Sequence, residues 1–531
     1  MELPQRGVPW VYASSTVFFT AGGIFYLYLA HVLAPDDLGT VVVLSAVALI
    51  ASTAAVLGLG AGFQHFLAFY QGRGDRDPLR ALVRSALATA GLLSVVAAVV
   101  VAAASWPLST FFFHTPRFAM TIELLGLYSG FVTAATILQS VLLGLQRFAT
   151  YARVYMAASF ATYGLPVLFL RAVPGVPTIV LGWVAGSAIG LLLCLVAVLR
   201  GTRPLAPLAP GRAARARGTT IYRSLLLYSI PIFASSLIGT SASYVDRLVL
   251  ASLTALSTVG VYNYAILMTT GSMFLVGPIA TVLVPRISAL FGRNDLDAIR
   301  AAGRTSITLV VLVFVPFALG LAAVGPFVLR LLLGSAFVPA SVPLAMLLVI
   351  SAASIPYVIL VALASGVRRT GLILEASALA LLANVGLSVG LVPSMGMMGA
   401  AVGNSAMYWV ALLTVYVGLR GTDLVRFDTA SIARIWSSSL AMFVAVALPL
   451  AFLGYRAVFV IGFIAVGIVV LLVSLRLVRA VPEDAVAALV HQLPRWAASV
   501  CPVVCWLADC RDCDHLAGLT RAPSARDAVA K

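Results

Sequence analysis

The chain has 531 residues, of which 62% are hydrophobic and only 10% are charged, and its formal net charge is +16. Because soluble domains carry roughly 25% charged residues, this composition excludes an ordinary globular protein and indicates an integral membrane protein. The basic excess follows the membrane topology described below, so nucleic acid is not an expected partner.

Tracts without charged residues define the candidate membrane spans. A helix needs roughly 20 apolar residues to cross a bilayer. The longest tract, 376–419, is longer than one span requires. Its "LVPSMGMMG" at 391–399 predicts a turn that divides the tract into two helices. Continuous Leu, Val and Ala runs favour helices over the alternating strands of a barrel. We therefore predict an all-α integral membrane protein of about 14 transmembrane helices. The tracts are 7–35, 38–72, 85–116, 124–146, 154–170, 172–199, 224–245, 248–285, 305–329, 331–367, 376–419, 435–455 and 457–475.

The positions of the basic residues predict the topology. If the N-terminus is cytoplasmic, the even-numbered loops and both termini hold 29 of the 34 basic residues. Cytoplasmic loops are enriched in Arg and Lys, so this asymmetry predicts a multi-pass protein with both termini in the cytoplasm. Residues 1–10 show no cleavable signal, and the first span is expected to remain in the protein.

A charged string occurs twice in the chain. "GRGDRDPLRALVR" at 72–84 returns as "GRNDLDAIRAAGR" at 292–304, and a second pair, 29–39 with 250–260, shares the same offset of about 220 residues. A weaker third pair joins 144–147 to 366–369. Convergence of short Arg-rich loops is the alternative explanation of the first pair. A parallel repeat instead predicts two six-helix lobes facing the same way, with helices 13 and 14 appended. The predicted domains are the N-terminal lobe 1–200, a basic cytoplasmic linker 201–223, the C-terminal lobe 224–419, helices 13–14 at 420–478, and a cytoplasmic tail 479–531.

Three strings carry a family resemblance: "LAHVLAPDDLGTVVVL" at 29–44, "YVDRLVLASLTALSTVGVYNYA" at 244–265 and "LVPRISALFGRND" at 283–295. With the six plus six plus two topology, they resemble the polysaccharide-biosynthesis flippases of the multidrug/oligosaccharidyl-lipid/polysaccharide (MOP) exporter superfamily. The resemblance implies a MATE/MOP-like fold in the plasma membrane and translocation of a polyprenyl-linked oligosaccharide by alternating access. It implies no cofactor and no catalysis. Membrane lipids and other polysaccharide-assembly proteins are the further partners expected.

Two other functions stay open at this point. A cation-coupled multidrug or small-metabolite exporter belongs to the same superfamily. A membrane-embedded glycosyltransferase or polymerase would normally need catalytic acids or a large outer loop, and the outer loops here are short. The chain has no phosphate-binding loop of the ATPase type, and its only lysine is Lys531.

Several polar residues within or beside spans are candidates for substrate binding. Asp246 and Arg247 follow 22 uncharged residues of helix 7, where charged groups usually line a cavity or pair with each other. The resemblance implies that this segment forms part of the central cavity wall. The alternative is that both side chains snorkel to the outer membrane interface. His65 and Arg286 occupy matching points of the repeat, and both are candidates to meet a phosphate at the inner mouth. The candidates for sugar contacts are Tyr26, Gln64, Tyr244 and Asn263.

Other candidates concern coupling, gating and metal. Glu123 is the candidate acid for ion coupling, with an interfacial ion pair to Arg117 as the alternative. Acids of the repeated loops, Asp75, Asp77, Asp295 and Asp297, are candidates for a cytoplasmic gate formed with Arg of either lobe. The tail holds Cys501, Cys505, Cys510 and Cys513, whose spacing matches no usual zinc site, so no metal is expected, and membrane-surface packing or S-acylation is the competing interpretation.

Overall fold

The computed structural model describes residues 8–202, 212–367, 369–422, 424–455 and 457–480. Within these ranges it describes only the backbone at 8, 9, 12, 212–221, 274, 278, 281, 282, 285, 289 and 457. Within these ranges every regular element is a helix. The helices are α1 (Val8–Val32), α2 (Pro35–Val56), α3 (Leu59–Arg73), α4 (Arg76–Ala103), α5 (Ser105–Phe113), α6 (Ala119–Gly144), α7 (Phe148–Ala172), α8 (Val176–Thr202), α9 (Arg212–Leu253), α10 (Leu256–Ser272), α11 (Gly277–Gly292), α12 (Leu296–Leu333), α13 (Ser341–Ser354), α14 (Pro356–Gly366), α15 (Thr370–Met395), α16 (Met397–Arg420), α17 (Thr429–Leu453) and α18 (Ala457–Leu477).

Thirteen helices of the described chain are long and apolar enough to cross a membrane. The remaining predicted span, the eighth at 248–285, is present as two shorter helices, α10 and α11, of 17 and 16 residues. The predicted turn at 391–399 is confirmed, because α15 ends at Met395 and Gly396 adopts a φ of 55° before α16 begins. The prediction of an all-α membrane protein with about 14 spans is therefore confirmed, and the eighth span is broken.

The second and the eighth predicted spans are each broken into two helices. Leu57 and Gly58, both with positive φ, separate α2 from α3. A short 3₁₀ turn, Met273–Leu275, separates α10 from α11. The sequence does not predict either break, because no charged residue lies at the break and the helices on both sides of it are apolar. Broken helices place backbone polar groups at membrane depth and are a known feature of transporters.

Helix packing divides the chain into two compact units. Of the described residues, those up to 263 and those at 388–400 form the first unit, and those at 264–387 and from 401 to 480 form the second. In the first unit α6 packs against α2, α3, α4 and α8, and α9 packs against α2 and α3. A buried cluster that includes Phe63, Leu138 and Leu142 joins α3 to α6. The domain boundaries predicted from the repeat are not tested by this division and stay predictions.

Small residues permit the close helix contacts of the first unit. Gly126 and Gly130 of α6 face backbone carbonyls of α4, and Gly182 and Gly186 of α8 face the backbone of α7. A methyl group at any of these glycines would overlap the neighbouring helix. This four-residue spacing of small residues is typical of membrane helices, which gain stability from close packing.

In the second unit, α12 is the central helix. It packs against α13, α14 and α17, and most of its apolar segment is buried. The appended pair, α17 and α18, contacts α12 through a cluster that contains Ala323, Val446, Leu450 and Val460. The outward faces of the pair carry large exposed hydrophobic residues such as Phe452 and Val458, as expected for helices that contact lipid.

Candidate functional site

Two charged residues are buried near the end of α9. Asp246 is fully buried and the relative exposure of Arg247 is 8%. A charge at membrane depth costs several kcal/mol unless it is paired, so burial requires partners. The Arg247 Nε atom lies 3.7 Å from Oδ1 of Asp246, and the Tyr262 hydroxyl donates a hydrogen bond of 2.9 Å to Oδ2. The two residues therefore form a buried pair rather than an exposed, snorkelling one.

The guanidinium group of Arg247 has three further contacts. Its Nη1 donates to Oδ1 of Asn263 at 3.3 Å, and its Nη2 donates to the carbonyl of Ser243 at 2.5 Å. Its Cζ atom lies 4.5 Å from the centroid of the Tyr244 ring, a cation–π geometry. The structure thus brings together four predicted residues, Asp246, Arg247, Tyr244 and Asn263.

Tyr262 is a member of this cluster that the sequence does not predict. It lies 16 residues after Asp246, just as Asn263 lies 16 residues after Arg247. A helix-to-helix register of this kind depends on the length of the turn between α9 and α10, which apolar patterning does not reveal. The adjacent Tyr262 and Asn263 are the signal that the sequence offers for this cluster.

The polar cluster extends to α1 and α2. The side chain of Tyr26 is hydrogen-bonded to Ser45 and lies within electrostatic reach of Tyr244 and Arg247. Ser45 in turn donates to the carbonyl of Val42 at 2.8 Å. Tyr26 and Tyr244 are half-buried, so hydroxyl and aromatic groups flank the buried ion pair. We name this set of residues the 246/247 cluster: Tyr26, Ser45, Ser243, Tyr244, Asp246, Arg247, Tyr262 and Asn263.

The starts of α2 and α10 are joined by a hydrogen bond. Oδ1 of Asp36, in the first turn of α2, accepts from the backbone N–H of Ser257 at 2.8 Å. This carboxylate also lies at the positive end of the α10 dipole, which favours a negative charge. Asp36 and Ser257 are 221 residues apart, the offset of the repeat. The contact therefore joins corresponding ends of two repeated helices.

His65 and Gln64 lie on α3 and are exposed. The imidazole of His65 stacks on the ring of Tyr228 of α9, with centroids 4.7 Å apart and an interplanar angle of 17°. Arg286, in the second unit, is also exposed. Their predicted common role at the inner mouth stays a prediction.

Glu123 is exposed near the start of α6. Its Oε1 atom lies 3.5 Å from the hydroxyl of Ser105, which can donate a weak hydrogen bond. The buried setting that ion coupling requires is therefore not present at this carboxyl group. Its coupling role stays a prediction, without support from this placement.

The repeated charged loops have the same backbone conformation. Gly74 and Asn294 both have positive φ, and the N–H groups of Asp75 and Asp295 both donate at 3.1 Å to a carbonyl five residues earlier. Asp77 pairs with Arg80 at 3.3 Å and Asp297 pairs with Arg300 at 2.5 Å. These pairs are local to each helix start. The gate role of the four acids stays a prediction.

A cavity of 270 Å³ lies beside the first of these loops, and Asp75 lines it together with Arg76, Arg147 and Gln71. The Nε2 atom of Gln71 donates to the carbonyl of Leu145 at 3.3 Å, which ties α3 to the end of α6. The tail cysteines, Cys501, Cys505, Cys510 and Cys513, lie outside the described residues. Among the residues that are described, no group of three or more His, Cys, Asp or Glu side chains is arranged to hold a metal ion.

Comparison with solved structures shows which fold the chain has. The fold is that of MOP superfamily transporters. The lipid II flippase MurJ, in an inward closed conformation, superposes with a TM-score of 0.67 at 14% identity over 88% of this chain and 98% of that chain. An inward-facing multidrug resistance MATE family transporter gives a TM-score of 0.66 at 16% identity, over 77% of this chain and 94% of that chain. At these identities the likeness shows the fold.

The family follows from the sequence match. Residues 28–342 match the family model described as polysaccharide biosynthesis protein, and the chain belongs to this family. A relative from Haloferax volcanii, named as the probable low-salt glycan biosynthesis flippase Agl15, is 26% identical over 220 residues. That match spans 41% of this chain and 47% of the relative, so about half of the relative's length is represented.

Proposed function

We propose that this chain is a flippase that moves a lipid-linked oligosaccharide or polysaccharide precursor across the plasma membrane by alternating access. Support comes from family membership, from the half-length match to a glycan biosynthesis flippase and from a fold shared with a lipid II flippase. Translocation needs no covalent chemistry and no cofactor. The glycan headgroup would travel in water while the lipid tail stays in the bilayer.

The observation that carries this proposal is the buried 246/247 cluster. A lipid-linked glycan presents a phosphate or diphosphate followed by sugar hydroxyls. Arg is suited to phosphate because its planar guanidinium forms paired, charge-assisted hydrogen bonds. The half-buried Tyr26 and Tyr244 and the amide of Asn263 supply the hydroxyl, aromatic and amide groups that sugars need.

The ion pair gives the site a way to bind and release an anion. With no substrate present, Asp246 neutralises Arg247, so the buried pair is not an unpaired charge. A phosphate group that approaches Arg247 would compete with the Asp246 carboxylate, whose Oδ2 atom keeps its hydrogen bond from Tyr262. Binding is thereby weak enough for release, which transport requires. This exchange is part of the proposal.

The second candidate is a cation-coupled exporter, and the fold shared with a MATE transporter is compatible with it. Such a protein needs a buried carboxylate that binds the cation. In the described part of the first unit, Glu123 is exposed, and the carboxylate of Asp246 already accepts from Tyr262 and pairs with Arg247. The flippase is therefore the better supported of the two.

Deletion of the gene tests the proposal. We expect a lipid-linked saccharide to accumulate on the cytoplasmic leaflet, and wild-type protein to remove it. The double variant Asp246→Asn/Arg247→Gln is expected to leave the accumulation in place at normal expression. Its matched control is Glu375→Gln/Arg330→Gln, which neutralises an exposed acid and an exposed arginine of two other membrane helices. No accumulation in the deletion strain, together with a gain in sensitivity to a cationic drug, would favour the exporter.

We also propose an orientation for the protein. With both termini cytoplasmic, both repeated loops face the cytoplasm. Accessibility tags introduced near positions 75 and 295 are expected to be modified from the same side of the plasma membrane. Labelling from opposite sides would contradict the parallel repeat.

A further inference from the structure

A continuous line of aromatic rings runs through the first unit, along the contact between α1 and α7 and onward to α8 and α6. Tyr151 stacks on Tyr155 at a centroid distance of 5.5 Å, and Tyr155 contacts Phe18 at 5.5 Å. Phe18 contacts Tyr163 at 5.5 Å, and Tyr163 contacts Phe25 at 5.5 Å. We call this set the aromatic track, and its members are Phe18, Phe25, Tyr26, Tyr128, Tyr151, Tyr155, Tyr163 and Trp183.

The track ends beside the 246/247 cluster. Phe25 contacts Tyr26 at 5.4 Å and Trp183 at 6.3 Å, and Trp183 contacts Tyr128 at 5.8 Å. Tyr26 belongs to both sets. On α7 alone, Tyr151 and Tyr163 are 12 residues apart, about 18 Å along a helix axis. The track is therefore as long as several sugar rings in sequence.

The phenol group of Tyr163 lies near those of Tyr26, Tyr128, Tyr155 and Tyr244. Tyr128, Tyr155 and Tyr163 are half-buried, and their hydroxyls have no hydrogen-bond partner among the described residues. A hydroxyl in a membrane-spanning segment needs a partner, so these groups should face water or a polar ligand rather than acyl chains.

The lipid-facing sides of the same helices look different. The exposed large hydrophobic side chains include Phe19 and Ile24 on α1 and Phe160 and Leu168 on α7, none of which carries a hydroxyl. Tyrosines at a membrane surface normally form belts at the two interfaces. Tyr151, Tyr155 and Tyr163 instead follow the length of α7. The large exposed side chains of α1 and α7 thus differ from the half-buried tyrosines of the track, which argues against acyl chains as its occupant.

We propose that the aromatic track is a carbohydrate-binding track, whose half-buried rings hold the sugar rings of the lipid-linked glycan while its phosphate meets Arg247. The buried Phe25 and Trp183 support these rings from behind. The inference rests on the proposed flippase function and adds the site for the glycan. Sugar rings present apolar C–H faces and polar hydroxyl edges. Tyrosine matches both, because its ring packs against the C–H face and its hydroxyl both donates and accepts.

The experiment uses the full-length protein and removes hydroxyls while keeping rings. The test variant is Tyr128→Phe/Tyr155→Phe/Tyr163→Phe. The matched control is Tyr357→Phe/Tyr416→Phe/Tyr455→Phe, which changes three half-buried tyrosines of the second unit. The probes are the glycan released by mild acid from the lipid-linked pool of the deletion strain, and inorganic diphosphate. Trp183 fluorescence reports binding, because that ring contacts Tyr128, with Trp183→Phe as the signal control.

We expect the test variant to bind the released glycan at least roughly tenfold more weakly than wild type, because three hydroxyl hydrogen bonds are lost. The control variant should bind it like wild type, and diphosphate binding should be unchanged in both. Equal glycan binding by the test variant and wild type would contradict the proposed carbohydrate-binding role of the track. If wild-type protein fails to clear the lipid-linked pool in cells, both the flippase proposal and the proposed glycan binding by the track are wrong. If wild type and the test variant clear the pool at equal rates, only the proposed glycan binding by the track is wrong.

A second variant tests the track without changing a tyrosine. A Cβ atom at Gly22 would lie 3.2 Å from the hydroxyl oxygen of Tyr163, whereas one at the adjacent Gly23 would meet nothing within 4 Å. Gly22→Val is therefore expected to obstruct the track and weaken glycan binding, while Gly23→Val leaves it near the wild-type value. Equal binding by both variants would contradict the assignment.

Discussion

Gly39 of α2 and Gly260 of α10 occupy equivalent positions in the repeat, and each packs against the carbonyl oxygen of the residue four positions before the other. Gly39 faces Leu256 and Gly260 faces Pro35, and a Cβ atom at either glycine would overlap that oxygen. The two contacts are reciprocal, as in a local two-fold relationship between α2 and α10. Asp36, which accepts from the N–H of Ser257, stabilises the same crossing.

Gly39→Ala is expected to separate the two helix starts and to lower the unfolding temperature of the purified protein. Backbone oxygen cannot move aside as a flexible side chain can, so the cost should reach or exceed the roughly 1–3 kcal/mol typical of overpacking. Thermal unfolding in detergent measures it. Gly239→Ala, in α9, is the control, because a methyl group there meets nothing within 4 Å and alanine favours a helix. A Gly39→Ala protein as stable as the control would show that the crossing is loose.

Asp295 and Asp75 begin equivalent helices but differ in capping. Oδ1 of Asp295 accepts from the N–H of Ala298 at 3.0 Å, whereas Asp75 has no such bond, since the corresponding residue, Pro78, has no N–H. Asp295→Ala should therefore accelerate amide exchange in the first turn of α12 by roughly fivefold, the usual effect of losing an N-cap. Asp75→Ala should leave exchange at the start of α4 unchanged. Hydrogen exchange read by mass spectrometry compares the two peptides, and equal acceleration would refute the capping difference.

Much of this architecture was predictable because it depends on composition. Apolar tracts bounded by charge marked the spans, and the recurring Gly-Arg-x-Asp-x-Asp string marked two turns that share one backbone conformation. The breaks at 57–58 and 273–276 were not predictable, because an apolar helix and an apolar broken helix have the same hydropathy. In the candidate site, the burial cost of charge indicated Asp246 and Arg247, but the contribution of Tyr262 depends on how α10 turns back on α9. The aromatic track was also missed, since its rings come from four helices and no single helix shows it.

Asp428 provides a pH-dependent contact in the second unit. It caps α17 by accepting from Ser431 N–H at 3.1 Å, and its Oδ2 accepts from Arg304 at 2.7 Å. The hydrogen bond from Arg304 is the main cause that lowers the pKa of Asp428 below its usual value, with a further contribution from Ser431. A lowered pKa in the folded state adds stability above the unfolded-state value of about 4, and that stability is lost as the pH falls through the folded-state pKa.

Asp428→Asn is therefore expected to be less stable than wild type at neutral pH, and the difference should shrink below about pH 4 as wild-type Asp428 becomes protonated. Unfolding temperatures measured from about pH 7 to about pH 3 give the comparison. Glu375→Gln, which neutralises an exposed carboxyl group of the same unit, controls for the overall charge. A stability difference that stays constant across this range would mean that the Arg304 contact does not depend on the carboxylate charge.

Substitutions in the 246/247 cluster distinguish an effect on protein stability from an effect on transport. Asp246→Leu leaves a buried guanidinium and Arg247→Met leaves a buried carboxylate, so each single change is expected to cost about 3–5 kcal/mol. Replacing both with apolar residues of similar volume, Asp246→Leu/Arg247→Met, removes the two charges together and should cost much less, because no unpaired charge remains in the membrane. Unfolding temperatures of the three variants give a double-mutant cycle, with a favourable coupling expected between two residues in contact. If Arg247 binds the phosphate of the substrate, the stable double variant must still fail to clear the lipid-linked saccharide from the deletion strain. A stable double variant that restores clearance would show that the buried pair serves packing alone, and the phosphate site would then have to lie elsewhere.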